Sequence, residues 1–307
     1  MKKILLAILC CCSLAVAAQD KITIITTLPP GTGIDTTARI ITSGWENLYG
    51  TGTTMVISRP GADGLIAARA MLEMTGNTIL FPLSGNLPTL PEDVFGKLQP
   101  LLEVTRQPWA VVVKKSLPAS NFNELITLAQ NQPGKLNICA VGSMVQSLIY
   151  DLERRNKVRF NKINYATMGP NVRTDIDLAN GSLDICVVPA ANIFIGGFAA
   201  ASKPVAVFDH GELGDLPRDI FVTDNIRSSA WSVRQGMWVA ANMDPTTRDA
   251  LTAKFVVVLN SPEIKKRLEI RGIKVMANAT VQGYQQHVQN ERQFWQKNKD
   301  SILKDYQ

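Results

Sequence analysis

Histidine and cysteine are scarce in this sequence: its 307 residues include 2 His and 5 Cys. Their scarcity argues against most zinc sites and most His-based catalysis, so the composition favours binding over catalysis. Charge is also limited, because 32 basic and 26 acidic residues leave a formal charge of +6. Since no basic cluster is interleaved with aromatic residues, the sequence indicates no nucleic-acid partner.

Common enzyme motifs are missing as well. The sequence has no G-x-S-x-G, H-E-x-x-H or C-x-x-C. His210 lies beside Asp209 and Glu212, a group with metal-ligating side chains, but the pattern is more typical of an exposed loop. His287 follows a helical pattern among Gln and Asn and is predicted to be solvated. We therefore predict a protein that is not an enzyme, with no catalytic residue, no metal site and no cofactor.

The first 18 residues have the pattern of a cleaved signal peptide. Lys2 and Lys3 precede an apolar run over residues 4–12, and small residues after it allow cleavage following Ala17 or Ala18. The run is shorter than the ~20 residues of a membrane span. We therefore predict a chain exported to the periplasm.

Cysteines within this segment raise a second possibility, a lipid anchor. They are Cys10, Cys11 and Cys12. Cys12 has Leu9 three residues before it, as a lipid-attachment signal requires, but Cys11 takes the place of the small residue that such a signal needs. The pattern favours simple cleavage, which leaves Cys139 and Cys186 in the mature chain.

Beyond residue 18, strand-like and helix-like apolar patterns alternate. Strand-like segments begin at residues 21, 53 and 77 with helical patterns between them, which predicts β-α-β-α-β. The alternation recurs over residues 109–188, and three helical patterns follow from Pro245 onward. This order is typical of parallel sheets covered by helices, and the chain length predicts two domains of ~100–150 residues. We therefore predict two α/β lobes.

Cys139 and Cys186 occur in two similar segments, LNICAV and LDICVV, which are predicted to be neighbouring parallel strands. Their sulfur atoms are then side by side, and an oxidising compartment permits a disulfide. Neighbouring parallel strands offer poor disulfide geometry, however, so two buried thiols are favoured over a bridge.

The segment LPPGTGIDT, which joins the first strand to the first helix, is the main candidate for a ligand site. Gly31 and Gly33 leave successive backbone N–H groups uncovered, and the positive end of a helix dipole lies behind them. Such a nest binds a carboxylate or a phosphate. A dinucleotide-binding fingerprint fails because Thr36 replaces its third glycine. From the loop alone, an anion nest and a simple tight turn are equally open.

Six segments in order resemble the periplasmic receptors of tripartite tricarboxylate transporters, the Bug family. LPPGTGIDTTAR resembles the opening P-F-P-P-G-G-x-x-D-x-x-A-R motif, and SRPGADGLIAA resembles N-R-P-G-A-x-G-x-x-G-A. The later matches are NQPGKLNICAVGS, INYATMGP with DLANGSLD, DLPRDIFVTD and MWVAANMDP. The resemblance runs from residue 21 to the C-terminus.

The resemblance implies an α/β, two-lobed periplasmic-binding-protein fold (Venus flytrap, type II-like) with mixed, mostly parallel sheets. It implies lobe 1 at residues 19–108 and 236–307, lobe 2 at residues 109–235, and crossover strands near 109–115 and 236–241. Receptors of this family capture a small organic carboxylate between the lobes and deliver it to a two-component membrane permease without metal or cofactor. We therefore expect a monomeric extracytoplasmic receptor with that role.

A set of ligand contacts follows from the resemblance and from the loop argument. The first-lobe loop and a second-lobe loop at Gly142 and Ser143 are expected to hold the carboxylate, while Ser84 and Asn86 follow the third strand, where open α/β sheets bind ligands. The full set is Pro30, Gly31, Thr32, Gly33, Ile34, Asp35, Ser84, Asn86, Gly142, Ser143, Gln146 and Tyr165.

Several of these positions have a structural interpretation that stays open. Ser84 and Asn86 fit ordinary turn chemistry equally well. Asp35 is expected to cap the helix rather than to touch an anion, and Arg39 to form an ion pair. Trp238 either lines the cleft or packs at the crossover.

The identity of the ligand is the least determined point. The absence of an acidic residue over residues 189–192 favours a ligand without an amino group. The alternative functions are a receptor of the same shape that serves an ABC-type transporter or a sensor, and a receptor for an anion other than a carboxylate.

Overall fold

Strands and helices alternate along most of the chain, as the sequence predicts. The computed structural model describes residues 21–140, 142–165, 174–194, 196–208, 217–222 and 232–304. The strands are β1 (Ile22–Thr26), β2 (Thr54–Ser58), β3 (Asn77–Phe81), β4 (Leu98–Lys114), β5 (Asn137–Ala140), β6 (Asn161–Asn164), β7 (Ile185–Pro189), β8 (Ser202–Val207), β9 (Ser232–Ala240) and β10 (Lys274–Val275). The helices are α1 (Gly33–Tyr49), α2 (Leu65–Glu73), α3 (Glu92–Phe95), α4 (Phe122–Asn131), α5 (Gly142–Asn156), α6 (Thr174–Asn180), α7 (Gly196–Ala201), α8 (Pro245–Asn260), α9 (Pro262–Glu269) and α10 (Val281–Lys304).

The first lobe is built on a sheet in the order β2-β1-β3-β9-β4. β1 is parallel to both β2 and β3, and all five of its residues are buried, as expected for a central strand between helical layers. α1 packs on this sheet with one apolar face, which includes Ile34, Ile41 and Trp45. The strand ends that carry the loops after β1, β2 and β3 therefore lie along one edge of the sheet.

The 17-residue strand β4 passes from one sheet to the other. From Leu98 to Pro108 it pairs with β9, and from Trp109 onward it pairs with β7 and β8. Only the second half is predicted as a strand from the sequence, and the first half contains Pro100 and Pro108, which are unusual in a central strand. The register shifts between Pro100 and Leu102, which accommodates a residue that has no N–H to donate.

The second lobe has strands in the order β8-β4-β7-β5-β6, with β5 parallel to β6 and β7 and with β4 antiparallel to its neighbours. The fold is therefore α/β with two lobes and mixed sheets, and the predicted fold class is confirmed. Separate apolar cores lie in the two lobes, around Ile24 and Phe255 in the first and around Val111 and Leu148 in the second. The exact lobe boundaries stay a prediction.

Cys139 and Cys186 form a disulfide in the structure. The two residues are direct partners on parallel strands β5 and β7, and their Cα atoms are 5.0 Å apart. That separation lies inside the usual range for a disulfide. The prediction of two buried thiols is therefore wrong, because the paired register brings the two Cα atoms close enough for a bond.

A thiol count checks this bond. When the chain from residue 19 onward is unfolded without reductant, we expect no free thiol from Cys139 or Cys186, and two after reduction. Two free thiols before reduction would show that the bridge is absent in solution.

The long helix α10 closes the first lobe over the β4–β9 pair. Tyr284 is fully buried, and its hydroxyl accepts a hydrogen bond from the Trp238 indole at 3.0 Å. Burial raises the pKa of the Tyr284 hydroxyl well above its ordinary value. Beside it, Glu103 is buried and accepts hydrogen bonds from Arg234 on β9. Trp238 therefore packs inside the lobe. Of the two roles expected from the sequence, lining the cleft or packing at the crossover, the structure shows packing.

Candidate functional site

After β1, Thr32 stands at the N-cap position of α1, but its side chain makes no capping hydrogen bond. The Thr32 hydroxyl donates to the Pro29 carbonyl at 2.7 Å and accepts no hydrogen bond from the helix. Within the part of the chain that the structure describes, the N–H groups of Gly33, Ile34 and Asp35 have no acceptor. Gly33 is exposed, and a Cβ atom there would meet no atom within 4 Å. Uncapped N–H groups at a helix start attract an anion.

The side chains of this loop fix its shape rather than face a ligand. Ile34 is 2% exposed and belongs to the first-lobe core, so only its backbone is available for binding. Gly31 has a φ of 84°, a backbone conformation that residues with a side chain rarely adopt. Its N–H donates to the Asp35 carboxylate at 2.9 Å. The loop is thus held in a defined conformation.

Asp35 is the centre of a buried ionic network. It is 2% exposed and accepts from Arg39 through both carboxylate oxygens, at 2.9 and 3.0 Å. Burial raises the pKa of the Asp35 carboxyl, but the Arg39 guanidinium, the Gly31 N–H and the Ser58 hydroxyl together hold that pKa below its ordinary value. The prediction of a structural ion pair for Arg39 is confirmed.

The substitution Asp35→Asn tests this network. We expect it to lower the free energy of unfolding at neutral pH by about 1–2 kcal/mol, because hydrogen bonds to a charged group are lost. Since the folded-state pKa of Asp35 lies below 3.8, its stabilisation is complete above that value and disappears as the pH falls through the folded pKa. Denaturant unfolding of both proteins at pH 7 and near pH 3 should show a smaller difference near pH 3 than at pH 7. An equal difference at both values would refute the ionic role.

Two further loops lie at the same edge of the sheet. The Thr27 hydroxyl donates to the Asn86 side-chain oxygen at 2.7 Å, and Asn86 is 8% exposed. Gly64, directly before α2, packs so closely on these residues that a Cβ atom would lie 2.8 Å from the Cβ of Asn86 and 3.1 Å from the Cγ2 of Thr27. Ser84 begins the short 3₁₀ turn that contains Asn86. Asn86 therefore has a structural role in joining these loops.

The expected second-lobe residues lie at the start of α5, directly after β5. Gly142 has a φ of 64°, and Ser143 follows in the first turn. Gln146 is buried in the next turn. Tyr165 follows β6, and its hydroxyl donates to the Asp177 carboxylate on α6. Gly142, Ser143 and Gln146 are thus grouped by one helix start, while Tyr165 is bonded within its own lobe.

The two lobes meet at these same loops. The hydroxyl and N–H of Ser143 donate to the carboxylate of Asp63, a residue of the first-lobe loop after β2. Gly85 lies against Met144 of α5, where a Cβ atom on the glycine would overlap the Cβ and Cγ atoms of the methionine. The structure therefore brings the carboxyl-end loops of the first lobe into contact with the start of α5.

Comparison with known proteins decides the family. The family model described as tripartite tricarboxylate transporter family receptor matches residues 38–304. The chain belongs to this receptor family. Among solved structures, it is similar to Rpa4515 of R. palustris with adipate, with a TM-score of 0.76 and 19% identity over 93% of this chain and 96% of that chain. No protein of the curated collection matches it.

Two other solved structures share the fold of this receptor. MatC of Rhodopseudomonas palustris, with bound malate, has a TM-score of 0.72 and 18% identity over 89% of this chain and 98% of that chain. The periplasmic binding protein BugD has a TM-score of 0.73 and 19% identity over 90% and 97%. Identities this low support the fold alone.

The receptor contains two polar groups that sequence reasoning missed. Asp63 lies in a segment that the family motif covers, but nothing local indicates its contact with Ser143, 80 residues away. Trp109 lies where β4 changes sheets, is 2% exposed, and has an indole N–H without an acceptor among the described residues. Because buried indoles normally find a partner, we expect a ligand or solvent oxygen there.

The structure describes one of the two histidines, His287. The prediction that His287 is solvated is wrong, because it is 5% exposed on the inner face of α10. His210 and its acidic neighbours lie outside the described residues. Among the residues that are described, no group of His, Cys, Asp and Glu is arranged to hold a metal, and no helix is long and apolar enough to cross a membrane.

Two open grooves lie elsewhere on the receptor, at the amino ends of the first-lobe strands. One has a volume of about 350 Å³ and is lined by Ile22, Asn77 and Lys254 among others. The other, of about 340 Å³, includes Gly76 and Asp244. Open α/β sheets bind ligands at the carboxyl ends of their strands, so the interlobe loops are the better candidate site.

Proposed function

We propose that this receptor captures a small organic carboxylate in the cleft between its lobes, in the periplasm, and delivers it to a two-component membrane permease. The ligand carboxylate binds to the N–H groups of Gly33, Ile34 and Asp35. A backbone nest suits this task because it offers several donors together with the partial positive charge of a helix start.

One observation carries the proposal: three successive N–H groups at the start of a 17-residue helix have no acceptor among the described residues, and the first of them belongs to an exposed glycine. Adjacent polar atoms of this loop are already paired, as the Gly31 N–H and the Asp35 carboxylate show. The uncapped groups are therefore the part of the loop with spare hydrogen-bonding capacity. Carboxylates are supported as the ligand class by the two relatives that were solved with adipate and with malate.

The receptor acts by binding alone. Delivery requires that the lobes open and close around the ligand, and β4 is the described strand that continues from one sheet into the other. Such opening would separate the contacts between the lobes at Gly85 and Ser143, among others. A monomer is sufficient for this cycle.

A thermal-shift screen tests the proposal, with monocarboxylates, dicarboxylates, tricarboxylates, hydroxy acids and aromatic acids as probes. A ligand at a hundred times its dissociation constant stabilises the folded state by ~2.7 kcal/mol, which raises the melting temperature by several degrees. Calorimetry of each active compound should then give saturable one-to-one binding without turnover. If phosphate, sulfate or neutral solutes stabilise the protein and no carboxylate does, the proposal is wrong.

A further inference from the structure

Asp63 brings a carboxylate of the protein itself to the second-lobe loop. Its Oδ2 atom accepts from the Ser143 hydroxyl and from the Ser143 N–H, the latter at 3.4 Å. Asp63 belongs to the first lobe, in the 3₁₀ turn just before α2, whereas Ser143 begins α5 of the second lobe. A carboxylate on a serine hydroxyl and on the N–H of a 15-residue helix is the arrangement expected of a bound ligand carboxylate.

The backbone on both sides is shaped to admit this side chain. Asp63 has a φ of 48° and a ψ of 40°, in the left-handed region that residues other than glycine seldom adopt, and Ala62 before it also has a positive φ. On the opposite side, a Cβ atom at Gly142 would lie 3.0 Å from the Oδ1 atom of Asp63. Strained backbone of this kind persists where the surrounding structure requires it, often at a ligand site.

Because the Asp63 carboxylate already occupies the position at Ser143, it affects which ligands can bind in the cleft. If a ligand carried one carboxylate on the first-lobe nest and another near Ser143, the second would meet both a filled hydrogen-bonding site and the like charge of Asp63. Like charges placed together at a binding site strongly disfavour a ligand. A neutral end would meet no such penalty.

We propose that Asp63 is a specificity-determining residue, which fills the second-lobe anion position and selects ligands with a single carboxylate. This inference rests on the proposed function, since it needs a carboxylate on the first-lobe loop. Such selectivity would distinguish this receptor from the similar proteins whose structures were solved with the dicarboxylates adipate and malate. A dicarboxylate that displaces Asp63 from Ser143 is the competing outcome.

Calorimetry with probes of matched length tests the inference. The pairs are butanoate with succinate and hexanoate with adipate, measured on the wild-type protein and on Asp63→Gly and Asp63→Asn. Glycine suits the positive φ and empties the position, whereas asparagine removes only the charge. Asp249→Asn is the matched control. Asp249 is an exposed residue of α8, and its substitution changes the net charge by the same amount.

We expect the wild-type protein and Asp249→Asn to prefer the monocarboxylate of each pair by at least ~10-fold. In Asp63→Gly the ratio should shift toward the dicarboxylate by at least ~10-fold, while the monocarboxylate affinity changes much less. Asp63→Asn should shift the ratio in the same direction. The melting temperatures of the variants establish that each is folded.

Two results overturn the inference in distinguishable ways. If carboxylates bind but the ratio is the same in wild type and Asp63→Gly, or if the wild type prefers dicarboxylates, Asp63 does not select the ligand and the proposed function stands. If no probe binds any folded variant, and the wider carboxylate screen is also negative, the proposed function fails and the inference fails with it.

Discussion

Replacement of Gly33 by aspartate is expected to reduce carboxylate binding at least ~100-fold while the protein stays folded. Gly33 is the first residue of α1, and a Cβ atom there meets no atom within 4 Å, so the side chain can be added without a clash. The new carboxylate lies at the uncapped helix start and competes for its N–H groups. It also repels an incoming anion. An acidic residue in the first helical turn is compatible with the helix dipole, so stability should not fall.

Gly33→Ala is the matched control. Alanine keeps the N–H group, adds no charge and favours the helix, so we expect binding within a few-fold of the wild type. Calorimetry with the best probe from the carboxylate screen, together with thermal melts, measures both quantities. Wild-type affinity in a folded Gly33→Asp protein would mean that the ligand binds elsewhere.

Gly85→Ala is expected to keep the lobes from closing. The added Cβ atom would overlap the Cβ and Cγ atoms of Met144 on the other lobe. Separation of the lobes relieves the overlap without disturbing either core, so the cost falls on the closed state. We expect at least ~10-fold weaker binding, since a cost of 1.4 kcal/mol already produces that change. Small-angle scattering with saturating probe should show less compaction than in the wild type.

A second substitution separates this effect from local damage. Met144→Gly removes the atoms that the new side chain overlaps, so Gly85→Ala combined with Met144→Gly should recover compaction and much of the affinity. Met144→Gly alone lowers stability because it removes a buried side chain from the second-lobe core and because glycine is unfavourable in a helix, so it serves as the baseline. Failure of the double variant to recover compaction would contradict the steric explanation.

The parts of the site with local sequence signals were predictable. The glycine-rich loop between a β-branched strand and an amphipathic helix indicated the turn at Gly31, whereas the helix begins at Gly33, before the cap expected at Asp35. The spacing of Asp35 and Arg39 indicated the ion pair, because residues four apart lie on one face of a helix. In each case the interacting groups are close in the sequence.

Features that depend on distant parts of the chain were not predictable. The first half of β4 contains Pro100 and Pro108, and it forms a strand through its pairing with β9 and β10, which are distant in the sequence. The bond between Cys139 and Cys186 depends on the exact register of two strands. Asp63 and Ser143 lie in different lobes, so no spacing rule relates them. The burial of His287 depends on how α10 packs on the rest of the lobe.

The amide resonance of Gly33 tests the central claim most directly, namely that a ligand carboxylate binds to the start of α1. Protein labelled with ¹⁵N-glycine is titrated with the best carboxylate from the screen, and the Gly33 signal is identified by its disappearance in Gly33→Ala. We predict a large, saturable shift of Gly33 and none at Gly76, which lines a groove at the opposite edge of the sheet. A saturating ligand that shifts Gly76 and leaves Gly33 unchanged would contradict the account.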